Sequence, residues 1–430
     1  MEFERLRRWP AEEGEGLRAW DAADALILDE AAEAIAATPR EAIVVIDDDF
    51  GALTLGALDA APPVAAVGAF GDSGRHADAV PRRAGGGAES PKAPTPPGWE
   101  AAVRVHSDAL TGERAIARNA ERAGLADAVR LMPFDATLVE GARLVLLRLP
   151  RSLDRLDEVA ALVAAHADPG VVLVAGGRLK HMTTAMNEVL RRRFARLDVS
   201  LARQKSRVLI AREPIGEPIR EPMRASAPAA GAHWPQRRLD CETGLEVVAH
   251  GGVFAGAGID IGTRFLLDHL DGAVERLRAA GDGAGDAASA RAVDLACGSG
   301  VVAARLARLG VRVVASDRSA AAVASARETA EANGVGALVE VHRADGLEHL
   351  PDASERLVVL NPPFHAGAAL TERIAERLFA DAARVLEPGG ELWCVWNSHL
   401  RYRGRLASIV GPTRQIARNP KFTITASSRA

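Results

Sequence analysis

Between residues 291 and 361 four short apolar runs each lead to a polar residue, and no other feature of the chain constrains its fold as tightly. The run Arg291-Ala292-Val293 delivers Asp294, VRVVAS delivers Asp317, LVEVHRA delivers Asp345, and RLVVL runs into Asn361. Apolar runs of this length read as strands buried in a parallel sheet, and polar groups at their ends mark the carboxyl edge, where open α/β sheets bind ligands. The first run is followed by a small-residue turn, Ala296-Cys297-Gly298-Ser299-Gly300, and then a helical pattern from Val301 to Leu309. Glycines there let the backbone approach a ligand, and the helix start offers unpaired N–H groups and a positive dipole end. One such loop alone is equally a plain strand-to-helix turn, and one strand-end acid alone is equally a helix cap. The joint pattern predicts a nucleotide crevice with Asp317 facing ribose hydroxyls.

Together the glycine turn and the strand-end acids resemble the class I S-adenosylmethionine-dependent methyltransferases. Asn361-Pro362-Pro363-Phe364 resembles the motif of members that methylate a planar nitrogen. The resemblance implies S-adenosylmethionine as cofactor, with Asp294 and the backbone of Ala296, Cys297, Gly298, Ser299 and Gly300 around its methionine part. It places Asp317 and Arg318 at the ribose and Asp345 at the adenine amine. The motif suits the chemistry. An exocyclic amine shares its lone pair with its ring, and the Asn361 side-chain oxygen with the Pro362 carbonyl can accept its two hydrogens as positive charge builds on nitrogen. Phe364 offers a face to a base taken out of its stack.

The first half repeats the pattern of the second. LVLLRLPRSL has the shape of LVVLNPPFHA, and ADPGVVLVAGGRLKH that of EPGGELWCVWNSHL. In the first copy IDDDFGAL replaces the glycine turn, and Leu149-Pro150-Arg151 replaces the paired prolines, so that copy is not expected to bind the cofactor. The expected fold is α/β: two tandem Rossmann-like methyltransferase domains, the first degenerate. The first spans 1–211, with a Pro/Gly-rich insertion near 81–98 expected to be disordered. A linker spans 212–242, and the catalytic domain 243–430 closes with a hairpin at Asn419-Pro420-Lys421.

GGVFAGAGIDIGTRFLL, VDLACGSG, VVLNPPFH and WNSHLRYRGRL, with the degenerate first copy, resemble the ribosomal RNA guanine-N2 methyltransferases of the RsmC/RlmG type. LRAWDAADALIL and NPKF favour the large-subunit branch. The resemblance implies 2-methylguanine formation in ribosomal RNA, with Asn361, Pro362, Pro363 and Phe364 as the reactive motif and Phe254, Phe364, Lys421 and Phe422 at the substrate. Arg148 and Arg151, beside the altered motif, are expected to meet RNA phosphates. Small-subunit RNA, a protein glutamine, a DNA adenine and a non-catalytic RNA-binding assembly role remain alternatives.

The net charge of −4 announces no nucleic acid by its total, but 398–430 carries seven Lys or Arg and no acid. Cys241, Cys297 and Cys394 form no CxxC pair, which argues against a zinc site or a disulfide framework. His365 and His399 lack neighbours at metal-ligand spacing, and no metal is expected. With no long apolar window, a cytoplasmic protein without a membrane partner is expected.

Overall fold

The computed structural model describes residues 3–9, 17–61, 102–215, 233–279, 290–363 and 368–430. The insertion near 81–98 and the motif residue Phe364 lie outside them. The first sheet holds β1 (Ile43–Ile46), β2 (Val103–His106), β3 (Val129–Leu131), β4 (Leu144–Arg148), β5 (Val172–Arg178), β6 (Phe194–Val199) and β7 (Ser206–Pro214), in the order β3-β2-β1-β4-β5-β7-β6. A hairpin of β8 (Gln236–Asp240) and β9 (Leu245–Ala249) follows. The second sheet holds β10 (Arg291–Leu295), β11 (Arg312–Asp317), β12 (Val339–Arg343), β13 (Glu355–Leu360), β14 (Leu386–Asn397), β15 (Thr413–Arg418) and β16 (Phe422–Ser428), in the order β12-β11-β10-β13-β14-β16-β15.

Both sheets are parallel up to β5 or β14 and end in two antiparallel strands, so one fold occurs twice. The central strands are buried on both faces, and each sheet is clothed by helices over two hydrophobic clusters. That double burial explains why β1 and β13 read as continuous Val, Ile and Leu rather than as alternation. The expected linker needs correction at both ends. β7 pairs with β5 as far as Ala211 and with β6 through Pro214, while β8, rich in charge, lies inside 212–242 and pairs along its length with β9. The run Arg237-Arg238-Leu239 is exposed throughout, so no apolar alternation marks the strand in the sequence.

The copies meet through equivalent residues. Val103 faces Val129 in one sheet as Val313 faces Val339 in the other, which makes Ala109 the counterpart of Ser319. These two form an antiparallel bridge with reciprocal bonds: Leu110 N–H donates to Arg318 O at 2.9 Å, and Ala320 N–H to Asp108 O at 2.8 Å. Around it Arg343 pairs with Glu113 at 2.6 Å, and His250 with Glu158 at 2.6 Å.

Candidate active site

β10 lies between β11 and β13, so the second sheet has its switch point at the carboxyl end of β10, where the crevice of such a fold opens. A cavity of about 620 Å³ occupies it, lined by the turn Asp294–Ser299, the strand-end segments Ser316–Ser319 and Ala344–Gly346, Asn361-Pro362-Pro363, and the segment Gly252–Asp260.

The turn reaches the cavity because three residues take left-handed backbone: Ala296 (φ 58°), Gly298 (φ 54°) and Gly300 (φ 74°). The two glycines serve different ends. A Cβ on Gly300 would lie 2.7 Å from the backbone of Ala326 on the helix Ala320–Ala332, whereas one on Gly298 would meet nothing within 4 Å. Gly300 is required by packing, and Gly298 leaves room. Asp294 is buried beneath the turn and accepts from Ala303 N–H at 2.9 Å, in the first turn of the helix Val301–Arg308. Burial pushes its carboxyl up to about 7, against that bond. Asp317 accepts from Gly298 N–H at 3.0 Å and Ser319 N–H at 2.9 Å, and burial raises its pKa as well. Asp345 lines the cavity paired to Arg377.

At the opposite wall β13 ends on Asn361. Its Nδ2 donates to Thr263 Oγ1 at 2.8 Å and to Asp260 Oδ2 at 3.3 Å. Asp260 caps the helix Ile261–Leu267 by accepting from Gly262 and Thr263 N–H, and it accepts the Thr263 hydroxyl too. A carboxylate taking that many donors can only accept, so the amide nitrogen must face it and the amide oxygen must turn to the cavity. That oxygen is buried and has no partner among the described residues. Sequence reasoning named Asn361 but missed Asp260 and Thr263, although an Asp three residues before a Thr at a helix start was a capping signal.

The family model "Methyltransferase small domain" matches residues 244–426, and "RLMG N-terminal domain" matches 2–79 and 99–214. The ribosomal RNA large subunit methyltransferase G of Streptomyces avermitilis is 33% identical over 97% of this chain and 95% of its own length. That of Pseudomonas aeruginosa PAO1 is 33% identical over 97% of this chain and 96% of its own. The chain belongs to the ribosomal RNA large subunit methyltransferase G family. Membership makes it an enzyme and sets aside the protein-glutamine, DNA-adenine and non-catalytic alternatives. The solved Thermus thermophilus 16S rRNA N2 G1207 methyltransferase, in complex with AdoMet and guanosine, shares the fold with a TM-score of 0.59 at 21% identity, over 76% of this chain and 82% of that one.

For this family member the expected substrate residues separate. Phe254 and Arg151 line the cavity, the latter reaching it from the first copy with its guanidinium 3.4 Å from His181. Lys421 is exposed on the closing hairpin, outside the cavity lining. Phe422 is 9% exposed and packs into the core against Gly262, at the start of a strand buried on both faces. Arg148 is not free for phosphate, since it donates to Asp21 at 2.6 and 2.9 Å and to Asp24 at 2.5 Å. Among the described residues no group of three or more His, Cys, Asp or Glu could hold a metal ion.

Proposed function

We propose that this chain transfers the methyl group of S-adenosylmethionine to the 2-amino group of a guanine in large-subunit ribosomal RNA. The observation that carries the reading is the buried, unpartnered Oδ1 of Asn361, held toward the cavity by a nitrogen locked on Thr263 and Asp260. An acceptor fixed in that way fits an amine that must shed electron density from its N–H bonds as it attacks. The Pro362 carbonyl takes the second hydrogen; proline lacks an N–H of its own to compete, and Pro363 follows to end strand pairing.

When bound, the cofactor supplies an electrophilic methyl on a positively charged sulfur. The cavity's residues fit it: open space over Gly298, acids at Asp294, Asp317 and Asp345, and Asn361 on the same lining. Asp317 holds the ribose hydroxyls with the lone pairs left by Gly298 and Ser319, Arg318 lies beside it, and Asp345 faces the adenine amine. Phe254 and Phe364 stack the extruded guanine, Lys421 meets RNA outside the cavity, and Arg151 meets a phosphate at the mouth. The protein acts in the cytoplasm, where its substrate is made; no helix among the described residues is long and apolar enough to cross a membrane.

The test is methyl transfer by the purified full chain to protein-free 23S and 16S ribosomal RNA, with the modified nucleoside identified by mass spectrometry. Transfer confined to 23S RNA and recovered as 2-methylguanosine supports the reading. A different methylated nucleoside, or transfer to 16S RNA alone, overturns it.

A further inference from the structure

A second cavity, of about 410 Å³, lies at the carboxyl edge of the first sheet. On one side stand His106 at the end of β2, Leu131 and Met132 at the end of β3, and Phe134. On the other are the first turns of the helix Ala320–Ala332 from the second copy. Strand register makes His106 the counterpart of Ser316 and Phe134 the counterpart of Ala344, both of which line the first cavity. The second cavity is therefore the base-and-ribose end of the first copy's own crevice. The opposite end is closed. Arg155 donates to both oxygens of Asp47, the counterpart of Ala296, at 3.1 and 3.0 Å, and lies 4.0 Å over the Phe134 ring.

What survives is built to hold something. The His106 ring is 2% exposed, and its Nδ1–H donates to Met132 O at 3.0 Å, which leaves Nε2 as a bare acceptor. No donor among the described residues reaches Nε2. Burial and the neighbouring Arg155 cation lower its pKa and keep the ring neutral. Arg327 stands on the helix that forms the far wall; among the described residues its guanidinium makes one hydrogen bond, to Val341 O at 2.9 Å, and no ion pair. A cavity with a fixed buried acceptor, carboxylates at Glu113 and Glu158 that are already paired to Arg343, His250 and Arg155, and the Arg327 cation at its edge suits a flat heterocycle carrying an N–H donor and a phosphate.

We propose that this cavity is a second ligand site that takes a purine nucleotide, its base donating to His106 Nε2 and its phosphate meeting Arg327. The proposal rests on reading the second copy's crevice as the cofactor site, because that reading assigns the base end of the fold. The amino-acid end of a cofactor has no room, since Arg155 and Asp47 fill it. The same nucleotide chemistry comes free in solution or at the end of an RNA strand.

The experiment is calorimetry on the full chain, first titrated with S-adenosylhomocysteine and then, once saturated, with 5′-GMP or 5′-AMP. Binding of one nucleotide per chain is expected, weakened about tenfold or more in His106→Leu and several-fold in Arg327→Ala, as loss of a buried acceptor and of a phosphate contact should do. Adenosine should bind Arg327→Ala and wild type alike. Displacement of the nucleotide by a purine-ended oligoribonucleotide assigns the site to an RNA end, and failure to displace it assigns the site to the free nucleotide. The proposal is overturned by no nucleotide heat up to millimolar concentration, or by equal affinity in wild type and in the exposed-site variant Arg327→Ala together with His106→Leu. Absence of the first, S-adenosylhomocysteine heat instead removes the cofactor reading.

Discussion

Arg148 and Asn361 occupy the same position in the two copies, at the end of β4 and just past the end of β13, and each reaches the capping acid of the equivalent helix. Asn361 donates to Asp260, the cap of Ile261–Leu267, and to Thr263; Arg148 donates to Asp21, the cap of Ala22–Glu30, and to Asp24. Where the second copy has an amide, the first has an ion pair. The amide keeps an oxygen to present to a substrate, whereas a guanidinium has only donors. A second acid, Asp24, stands in the first copy where the second has the hydroxyl of Thr263.

Arg148→Met should therefore destabilise the fold and leave RNA binding nearly alone. The side chains of Arg148 and Asp24 are largely buried, and removal of the cation strands two carboxyls, one of which burial already pushes up to about 7. A loss of about 3 kcal/mol is expected, the lower end for broken buried pairs because the site is partly exposed. Denaturant unfolding measures it. Arg151→Ala should do the reverse, with stability unchanged and the salt dependence of RNA binding reduced by about one phosphate contact.

The Asp294 carboxyl gives the unliganded protein a pH signature. Its folded pKa of about 7 lies above the ordinary 3.8, so the fold binds this proton more tightly than the unfolded chain. Its stabilising contribution is complete below about pH 4 and is lost as pH rises toward and through 7. A cationic ligand beside it favours the ionised form, so cofactor affinity should rise as pH increases from about 6 to about 8. In Asp294→Asn the affinity profile should flatten, and the unliganded protein should unfold at a higher temperature at pH 8 than wild type does. An affinity profile that stays steep in the variant excludes Asp294 as its source.

Gly298 and Gly300 should fail differently when changed to Ala. Gly300→Ala drives a Cβ into Ala326 and is expected to cost about 2–4 kcal/mol from overpacking and left-handed strain together. Gly298→Ala faces open space and should cost about 1 kcal/mol of stability, yet weaken the cofactor because the methyl enters its cavity. Thermal melts paired with calorimetry on both variants separate the two effects.

Much of this was legible in the chain. The strand-end acids and VDLACGSG gave the sheet, its carboxyl edge and the cavity wall, because buried parallel strands announce themselves as short apolar runs. The repeat was legible too, through LVLLRLP and LVVLNPP. Other features were not. Arg148 looked like a surface cation because its partners lie far away at Asp21 and Asp24, a contact that only the packing of a helix on the sheet creates. Phe422 follows a hairpin turn, as an exposed contact would, yet it opens a strand buried on both faces and enters the core. IDDDFGAL looked like a lost glycine turn, yet Asp47 and Gly51 keep the left-handed conformations of Ala296 and Gly300, and Asp48 closes the loop on itself through Gly51 and Thr54. The backbone geometry of the turn is shared although most of its residues differ.

The most direct test of the central claim is the nucleoside composition of 23S ribosomal RNA from cells that lack this protein and carry either the wild-type chain or Asn361→Ala. Loss of an aligned acceptor should slow transfer by about two orders of magnitude or more while S-adenosylmethionine still binds the purified variant. One 2-methylguanine should therefore be restored by wild type and remain absent with Asn361→Ala. Restoration by the variant to the wild-type level would contradict the account.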